Sequence, residues 1–164
     1  MQTVTIGILS DTHLYQITPA FESQIAACFA DAAMIFHAGD LTSITILKVF
    51  KNKEVHAVHG NMCDLATEKI LPRKKTVRVG NFTIGIIHRP ATPYNLENAL
   101  LDEFDGVDCI VFGHTHQPVC KKSGGVLFIN PGSFMPTGRY GAPGTYALLE
   151  VDTELRGRLA EVPY

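Results

Sequence analysis

The sequence has little charge, no closely spaced pair of cysteines and no long apolar run, and each absence narrows what the protein can be. Only 18% of its 164 residues are charged, and the formal net charge is −2 with histidine counted as neutral. We therefore expect no basic surface for a nucleic-acid polymer or an anionic membrane, so a bound anion must be attracted by local charge. Hydrophobic residues make up 46% of the chain. That is enough for a large core and for some apolar surface, so a homo-oligomer remains an alternative to a monomer.

No two of the four cysteines have the CxxC spacing of a redox or zinc motif; they are Cys28, Cys63, Cys109 and Cys120. Two of them lie inside apolar runs, where a thiol packs as a small hydrophobic group. We expect all four to be reduced and the protein to be cytoplasmic. No apolar run reaches the length of a transmembrane helix, and Val4–Leu9 is too short for the core of a signal peptide. The length, without repeats or linkers, predicts a single domain over 1–164.

Apolar and β-branched runs predict a series of strands separated by helices. The predicted strands are Thr3–Leu9, Met34–His37, Val55–Val58, Thr76–Val79, Phe82–Ile87, Val107–Phe112, Val119–Lys122, Val126–Ile129, Thr145–Val151 and Leu155–Val162. The predicted helices are Phe21–Ala33, Ser43–Lys51 with Ser43 as its cap, a short helix before Pro72, and Tyr94–Phe104. Gly80-Asn81 marks a hairpin, and a loop rich in glycine and proline runs from Asn130 to Gly144. Strands alternate with helices and hairpins follow, which predicts a mixed sheet with a parallel core that continues into a second sheet.

Residues that bind metals stand at the C-terminal ends of several predicted strands. His114 and His116 follow Gly113 after a buried strand, and both imidazoles can point to one site if the backbone there is extended. Asp11 and His13 repeat this spacing after the first strand. Sites in α/β sheets lie beyond the carboxyl ends of the parallel strands. Together the strand ends offer Asp11, His13, Asp40, Asn61, His88, His114 and His116.

This set of side chains suits two divalent metal ions better than one. Carboxylate, amide and imidazole groups bind borderline transition metals such as Mn²⁺, Fe²⁺, Ni²⁺ and Zn²⁺. Seven ligands are too many for one ion but fit two ions that share a carboxylate. Two metals about 3.5–4 Å apart can share a hydroxide and hold a phosphoryl oxygen during in-line displacement. Two dications beside two carboxylates would leave a local positive charge that attracts phosphate.

The order and spacing of these motifs resemble those of the calcineurin-like metallophosphoesterases. The motifs are Asp11-x-His13, Gly39-Asp40, Gly60-Asn61, His88 and Gly113-His-Thr-His116. Within that superfamily the sequence is similar to the small single-domain bacterial and archaeal phosphodiesterases related to the retromer metallophosphoesterase-like subunit, which share Asn130-Pro-Gly-Ser133. The resemblance covers nearly the whole chain. It implies the metallo-dependent phosphatase fold of the α/β (α+β) class, a four-layer αββα sandwich of two mixed β-sheets flanked by helices.

The resemblance also implies which residues hold each ion. For the first metal it implies the ligands Asp11, His13, Asp40 and His116. For the second it implies Asp40, Asn61, His88 and His114, so that Asp40 bridges both ions. Asn61 and His88 would also face the substrate. We expect Mn²⁺ at both positions, with Ni²⁺, Fe²⁺, Zn²⁺ or Mg²⁺ as the alternatives.

The sequence departs from the family pattern beside two of these ligands. Many members have a histidine directly after Gly-Asn that is thought to protonate the leaving group, and here Met62 stands at that position. Asp64 and His59 are the nearby side chains that we consider as the acid instead. Arg89 follows His88 where glycine is common; it can bind phosphate, or it can be a solvated side chain that packs over the loop.

Three further polar residues leave alternatives open. Asn130 and Ser133 can contact the substrate, but Asn-Pro-Gly-Ser is also an ordinary turn. His37 precedes Gly39-Asp40 on a strand, and we expect it to lie in the core or to support a metal ligand from behind.

The sequence thus predicts a dinuclear-metal-dependent phosphoesterase, with small phosphodiesters favoured over phosphomonoesters as substrates. A protein-binding scaffold is the alternative, because the eukaryotic relative serves mainly as an assembly subunit. All seven candidate ligands are present, which favours catalysis, since a site that is no longer used loses ligands. A nuclease is less favoured because the chain has neither a basic groove nor a capping domain to hold a polymer.

Overall fold

Ten β-strands form two mixed sheets in the computed structural model, which describes residues 3–92, 94–136 and 143–163. The strands are β1 Val4–Leu9, β2 Met34–His37, β3 Glu54–Ala57, β4 Lys74–Val79, β5 Phe82–Ile87, β6 Cys109–Val111, β7 Val119–Ser123, β8 Val126–Asn130, β9 Thr145–Val151 and β10 Leu155–Glu161. The helices are α1 Pro19–Cys28, α2 Leu65–Ile70 and α3 Leu96–Leu101, and a 3₁₀ helix spans Ile44–Phe50.

The first sheet has the strand order β10-β9-β1-β2-β3. β1, β2 and β3 are parallel, so Leu9, His37 and Ala57 lie in register at the carboxyl edge. β9 pairs antiparallel with β1, and β10 pairs antiparallel with β9. β1 and β2 are apolar along nearly their whole length, as expected of strands that are covered on both faces. The loops after the three parallel strands therefore emerge beside one another.

The second sheet has the strand order β4-β5-β6-β8-β7. β5, β6 and β8 are parallel, whereas β4 and β7 are antiparallel strands at the two edges. The predicted hairpin at Gly80-Asn81 is confirmed, because it joins β4 to β5 with Gly80 at a φ of 58°. The loop after β5 begins with His88, and the loop after β6 leads to Gly113.

The two sheets pack face to face and carry helices on their outer faces, which confirms the predicted αββα sandwich. The core between the sheets takes side chains from both, among them Ile6, Ile8, Phe36, Ile84, Ile86, Val111 and Ile129. On the outside of the first sheet, Phe21 and Ile25 of α1 pack with Ile46 of the 3₁₀ helix. Leu100 of α3 packs on the outside of the second sheet. Burial of each such side chain contributes roughly 1.5–3 kcal/mol, which gives the strand-end loops a rigid base.

Helix α1 is shorter than predicted. It ends at Cys28, whereas the spacing of apolar residues predicted a helix as far as Ala33. Phe29 leaves the helical region with a φ of −123°, yet Phe29 and Ala32 remain buried. Buried positions thus continue past the helix end, and their spacing alone does not show where the helix stops.

Local capping explains two other boundaries. Ser43 is a cap as predicted, but the helix that follows is 3₁₀. α3 begins only after Asn95, whose side chain accepts a hydrogen bond from the Asn98 N–H, so the predicted Tyr94–Phe104 helix is too long at both ends.

The predicted loop from Asn130 to Gly144 lies partly outside the described residues. Among the described helices, none has the length and apolar character needed to span a membrane.

Candidate metal centre

The loops that carry the candidate ligands are joined by backbone hydrogen bonds between strand ends. The Asp11 N–H donates to the Gly39 carbonyl at 3.0 Å, which joins the loops after β1 and β2. In the second sheet, the Gly113 N–H donates to the His88 carbonyl at 3.0 Å. The parallel strands deliver these loops to one edge, and the hydrogen bonds then fix them relative to one another.

Asp11, His13 and His116 form the first group of candidate ligands. Their ligand atoms all lie within 4.8 Å of one another. Asp11 is fully buried, and its Oδ1 atom is 3.1 Å from His116 Nε2 and 3.7 Å from His13 Nε2. Its other oxygen, Oδ2, accepts hydrogen bonds from the Ser10 hydroxyl at 2.6 Å and the His114 N–H at 3.2 Å. The carboxylate is thus held by one oxygen and presents the other to the imidazoles.

Asp40, His88 and His114 form the second group, and their ligand atoms also lie within 4.8 Å of one another. Asp40 Oδ1 accepts a hydrogen bond from the Met62 N–H at 2.7 Å, and Oδ2 is 3.1 Å from His88 Nε2. The loop after β3 approaches this closely because Gly60 has no side chain. A Cβ atom there would lie only 2.1 Å from Asp40 Oδ1.

The buried ring of His88 fits a metal ligand. Its Nδ1 atom is 2.8 Å from the Ala38 carbonyl, which can only accept, so Nδ1 carries the proton. In the neutral ring Nε2 then bears a lone pair, and it has no hydrogen-bond partner among the described residues. It lies 3.1 Å from Asp40 Oδ2, close enough for an ion pair but without the geometry of a hydrogen bond. A cation near both acceptors would resolve this contact.

Without an ion, Asp40 and the charged form of His88 stabilise each other, so a metal ion bound at His88 Nε2 would replace a proton there. Burial alone would raise the pKa of Asp40, but His88 outweighs it and holds that pKa below its usual range, so the carboxylate is ionised. Burial disfavours the charged form of His88, yet Asp40 outweighs burial and raises the pKa of His88. Burial first, and then the charges of His88 and Arg89, lower the pKa of His114.

Each group runs from a buried carboxylate to an exposed imidazole. Asp11 and Asp40 are buried, whereas His114 and His116 are exposed. An ion held by either group would therefore be open to solvent on one side. Catalytic metal sites keep such an open position for water or substrate.

Five candidate ligands have left-handed backbone conformation. The φ angles are 56° at Asp11, 47° at His13, 52° at Asp40, 69° at His114 and 58° at His116. Such conformations cost about 1–3 kcal/mol each and persist where the surroundings enforce them, often at functional sites. The expectation of extended backbone at His114 and His116 is therefore wrong. As a result the two imidazoles do not share one site but join different groups.

His37 supports the loops of both β1 and β2 from behind, one of the two positions expected for it. Its ring is fully buried, and Nδ1 accepts a hydrogen bond from the Gly39 N–H at 3.2 Å. The proton must then be on Nε2, which donates to the Thr12 hydroxyl at 3.1 Å. Burial lowers the pKa of His37 to about 3, so the ring is neutral at physiological pH.

Asp64 caps a helix in the structure. It is the N-cap of α2, and its Oδ1 atom accepts a hydrogen bond from the Thr67 N–H at 2.8 Å. Hydrogen bonding from the side chain of Thr67, and then from its backbone N–H, holds the pKa of Asp64 below its usual range, so the group is ionised at neutral pH and has no proton to give. The sequence could not distinguish a cap from an acid, because aspartate is common in both roles.

Asn130 and Ser133 are both engaged in hydrogen bonds within the protein. Asn130 is fully buried, and its side-chain amide donates to the Gly113 carbonyl and to Thr115 Oγ1, both at 3.0 Å. The Ser133 hydroxyl is buried 3.1 Å from the Asp11 carbonyl. Both side chains therefore hold the ligand loops in place, and contact of either one with the substrate stays a prediction.

The remaining predicted residues lie around a cavity of about 470 Å³ beside the second group. Asn61, His59 and Arg89 line it together with His88. Glu68 and Arg73 line it as well. No sequence pattern pointed to these last two, because their place depends on how α2 packs against the loops.

The family model for the calcineurin-like phosphoesterase superfamily domain matches residues 4–154. The chain belongs to this superfamily. A "Probable metallophosphoesterase" of Methanocaldococcus jannaschii is 36% identical over 135 residues, which cover 80% of this chain and 68% of that relative. A phosphodiesterase of the same organism is 31% identical over 144 residues, which cover 77% of this chain and 82% of that relative. The resemblance read from the motifs is thereby confirmed.

Solved structures share the fold at lower identity. The Vps29 structure of Chaetomium thermophilum has a TM-score of 0.75 and 18% identity, and the match covers 98% of this chain and all of that one (100%). At this identity the likeness shows the fold alone. The two groups described above are the candidate metal ligands of a calcineurin-like phosphoesterase.

Proposed function

We propose that the protein is a dinuclear-metal-dependent phosphoesterase that hydrolyses small phosphodiesters. One observation above all supports this: two groups, each a buried carboxylate with two imidazoles, lie at the same edge of the sandwich. The first group would hold one ion and the second group the other, with Asp40 as the bridging carboxylate and Asn61 as a further ligand. The mixture of carboxylate, imidazole and amide favours Mn²⁺, with Ni²⁺, Fe²⁺, Zn²⁺ or Mg²⁺ as alternatives.

The two ions, when bound, would act as Lewis acids that polarise the phosphoryl oxygens and activate water. The protein contributes ligands that are already oriented. The Ser10 hydroxyl restrains Asp11, and the Ala38 carbonyl fixes the tautomer of His88. Such supporting hydrogen bonds keep the ligand atoms in position and make the imidazole more basic.

The preference for diesters rests on the loop after β3. Met62 is 58% exposed where a proton donor would be needed, and a thioether has no proton to give. Asp64 is ionised, so it would repel a dianionic monoester more than a monoanionic diester. A diester with a good leaving group needs no protonation, whereas loss of a general acid typically costs 10²–10⁴-fold for a poor one. His59, half-buried beside Asn61, is the remaining candidate for an acid.

A relative from Methanocaldococcus jannaschii is named a phosphodiesterase, which supports the same substrate class for this protein. The test is to remove metal, reload the protein with each candidate ion, and compare bis(p-nitrophenyl) phosphate with p-nitrophenyl phosphate. We expect hydrolysis to require metal and the diester to be the better substrate. Full activity in chelator after verified metal removal would refute the metal mechanism, and a strong preference for the monoester would refute the substrate class.

A protein-binding scaffold is the second candidate. Large apolar side chains are exposed at Tyr15, Leu65, Ile70 and Tyr94, which would suit a partner surface. The fold is also that of Vps29, a protein named for vacuolar protein sorting. If the protein binds two metal ions yet hydrolyses none of the phosphoesters, the scaffold is favoured.

A further inference from the structure

The cavity of about 470 Å³ touches the second group directly. Three segments line it: the loop 59–61 after β3, Glu68 and Arg73 at α2 and just beyond it, and the loop 88–91 after β5. Because Asn61 and His88 belong both to the cavity and to the candidate ligands, a molecule bound there would adjoin the reacting phosphate. Its volume lies in the range of roughly 300–1,000 Å³ that is typical of small-molecule sites.

Glu103 fixes two walls of this cavity. Its carboxylate, only 10% exposed, pairs with Arg73 and also lies 3.2 Å from Lys74 Nζ. The same carboxylate accepts a hydrogen bond from the Ala91 N–H at 2.8 Å, which ties the loop after β5 to the segment after α2. Glu103 compensates the charge of Arg73 only in part, because the same carboxylate also pairs with Lys74. The cavity walls are held in a fixed relation.

Arg89 is the lining arginine that has no carboxylate partner among the described residues. Its side chain is exposed, and it forms no hydrogen bond or ion pair within the described part of the chain. Its charge contributes to the lowered pKa of His114, after burial and His88, so the guanidinium lies within electrostatic range of the second group. Glu68 is the one uncompensated carboxylate among the described lining residues, and it would oppose an anion.

We propose that this cavity is a subsite for a second anionic group, a carboxylate or a further phosphate, on one ester substituent of the substrate. Arg89 would bind that anion, because a guanidinium pairs with both oxygens of a carboxylate or phosphate at once. The inference rests on the proposed phosphodiesterase function and narrows its substrates from small diesters in general to diesters that carry an extra negative charge.

Two matched diesters test the subsite. Both are p-nitrophenyl phosphate esters, with either a 4-carboxyphenyl or a 4-carbamoylphenyl group as the second substituent. They share one leaving group and nearly one shape, and they differ by a single negative charge. Either aryl group can leave, so p-nitrophenol and the substituted phenol are both quantified to obtain kcat/KM for each diester in the Mn²⁺-loaded protein. We expect the carboxylate to be preferred by about 3–10-fold at low salt, with a smaller preference as ionic strength rises.

Variants that remove either a positive or a negative charge from the cavity wall make the test specific. Arg89→Gln should bring the ratio of the two kcat/KM values close to one, and Arg89→Lys should retain part of it. Glu68→Gln should increase the ratio, because it removes a repelling carboxylate. Arg78→Gln, an equal loss of charge at an exposed position on β4, is the matched control and should leave the ratio unchanged.

The ratio separates binding of the anion from a structural role of Arg89, since misfolding would lower both rates together. Equal rates for the two diesters in the wild type, or an unaltered ratio in Arg89→Gln, would overturn the subsite and leave the phosphodiesterase proposal standing. Failure to hydrolyse either diester with both metals bound would overturn the phosphodiesterase proposal and the subsite with it.

Discussion

Replacing His37 with phenylalanine should loosen the loops that carry Asp11 and Asp40. The phenyl ring fills much of the same buried space but leaves the Gly39 N–H and the Thr12 hydroxyl without their partner. Each buried polar group left unpaired costs about 1–3 kcal/mol, so we expect a loss of about 2–4 kcal/mol after some relaxation. For a domain of this size that corresponds to a fall in Tm of roughly 5–15 °C.

The assay is thermal unfolding in chelator at pH 7, so that bound metal does not mask the effect. His56→Phe is the matched control. His56 lies on strand β3, and its buried Nδ1 has no hydrogen-bond partner among the described residues. Its Nε2 lies 2.8 Å from Glu54 Oε1, but the Glu54 side chain is 61% exposed, so water replaces the imidazole in the phenylalanine variant. We expect that variant to shift Tm by about 2 °C or less. Equal Tm values for His37→Phe and the wild type would refute the structural role of His37.

The pH dependence gives a second check on the same variant. Burial lowers the pKa of His37 from an ordinary value of 6.5 to about 3. Between those values the unfolded chain binds a proton that the folded protein does not, so folding loses about 1.4 kcal/mol per pH unit as the pH falls. His37→Phe escapes this loss. The stability gap between wild type and variant should therefore shrink by about 2 kcal/mol from pH 7 to pH 5, and a constant gap would contradict a neutral buried ring.

Two further predictions concern the ligands and the substrate. Asp40→Asn should reduce activity by more than about 100-fold and lower the occupancy of both metals, whereas His13→Ala should lower mainly the occupancy of one. Metal counting on the purified variants measures this. Two tightly bound equivalents in Asp40→Asn would contradict the bridging role. Met62→His should narrow the preference for bis(p-nitrophenyl) phosphate over p-nitrophenyl phosphate, because it supplies a proton donor. An unchanged ratio of the two kcat/KM values would mean that the imidazole does not reach the leaving oxygen, or that His59 already serves as the acid.

The positions of the strands could be anticipated in outline because the strand runs are short, apolar and separated by clear turn signals. β2 and β5 have the predicted limits, and the Gly80-Asn81 hairpin forms as expected. The ends of the helices were harder to predict. The end of α1 is set by where Phe29 turns into the core, which depends on tertiary packing that the local sequence does not contain.

The candidate ligands could be collected from sequence because parallel strands place their carboxyl ends together. Their division into two groups could not be derived from spacing, since it depends on backbone turns at His114 and His116 that oppose simple alternation. The roles of Asp64 and Asn130 were equally inaccessible. Both residue types suit either a site or a cap, and only their hydrogen-bond partners decide between the two.

The left-handed ligands are held by bonds between loops and not by their own sequence. The Asp11 N–H donates to the loop after β2, and the His13 N–H donates to the Asp40 carbonyl at 3.0 Å. Relaxing one strained residue would therefore break a hydrogen bond in a neighbouring loop. Glycine would adopt such angles without strain but has no side chain to bind a metal. Aspartate and histidine enter the left-handed region several-fold more readily than most residues, so the residue types that the metal chemistry requires are also those that tolerate the backbone these loops impose.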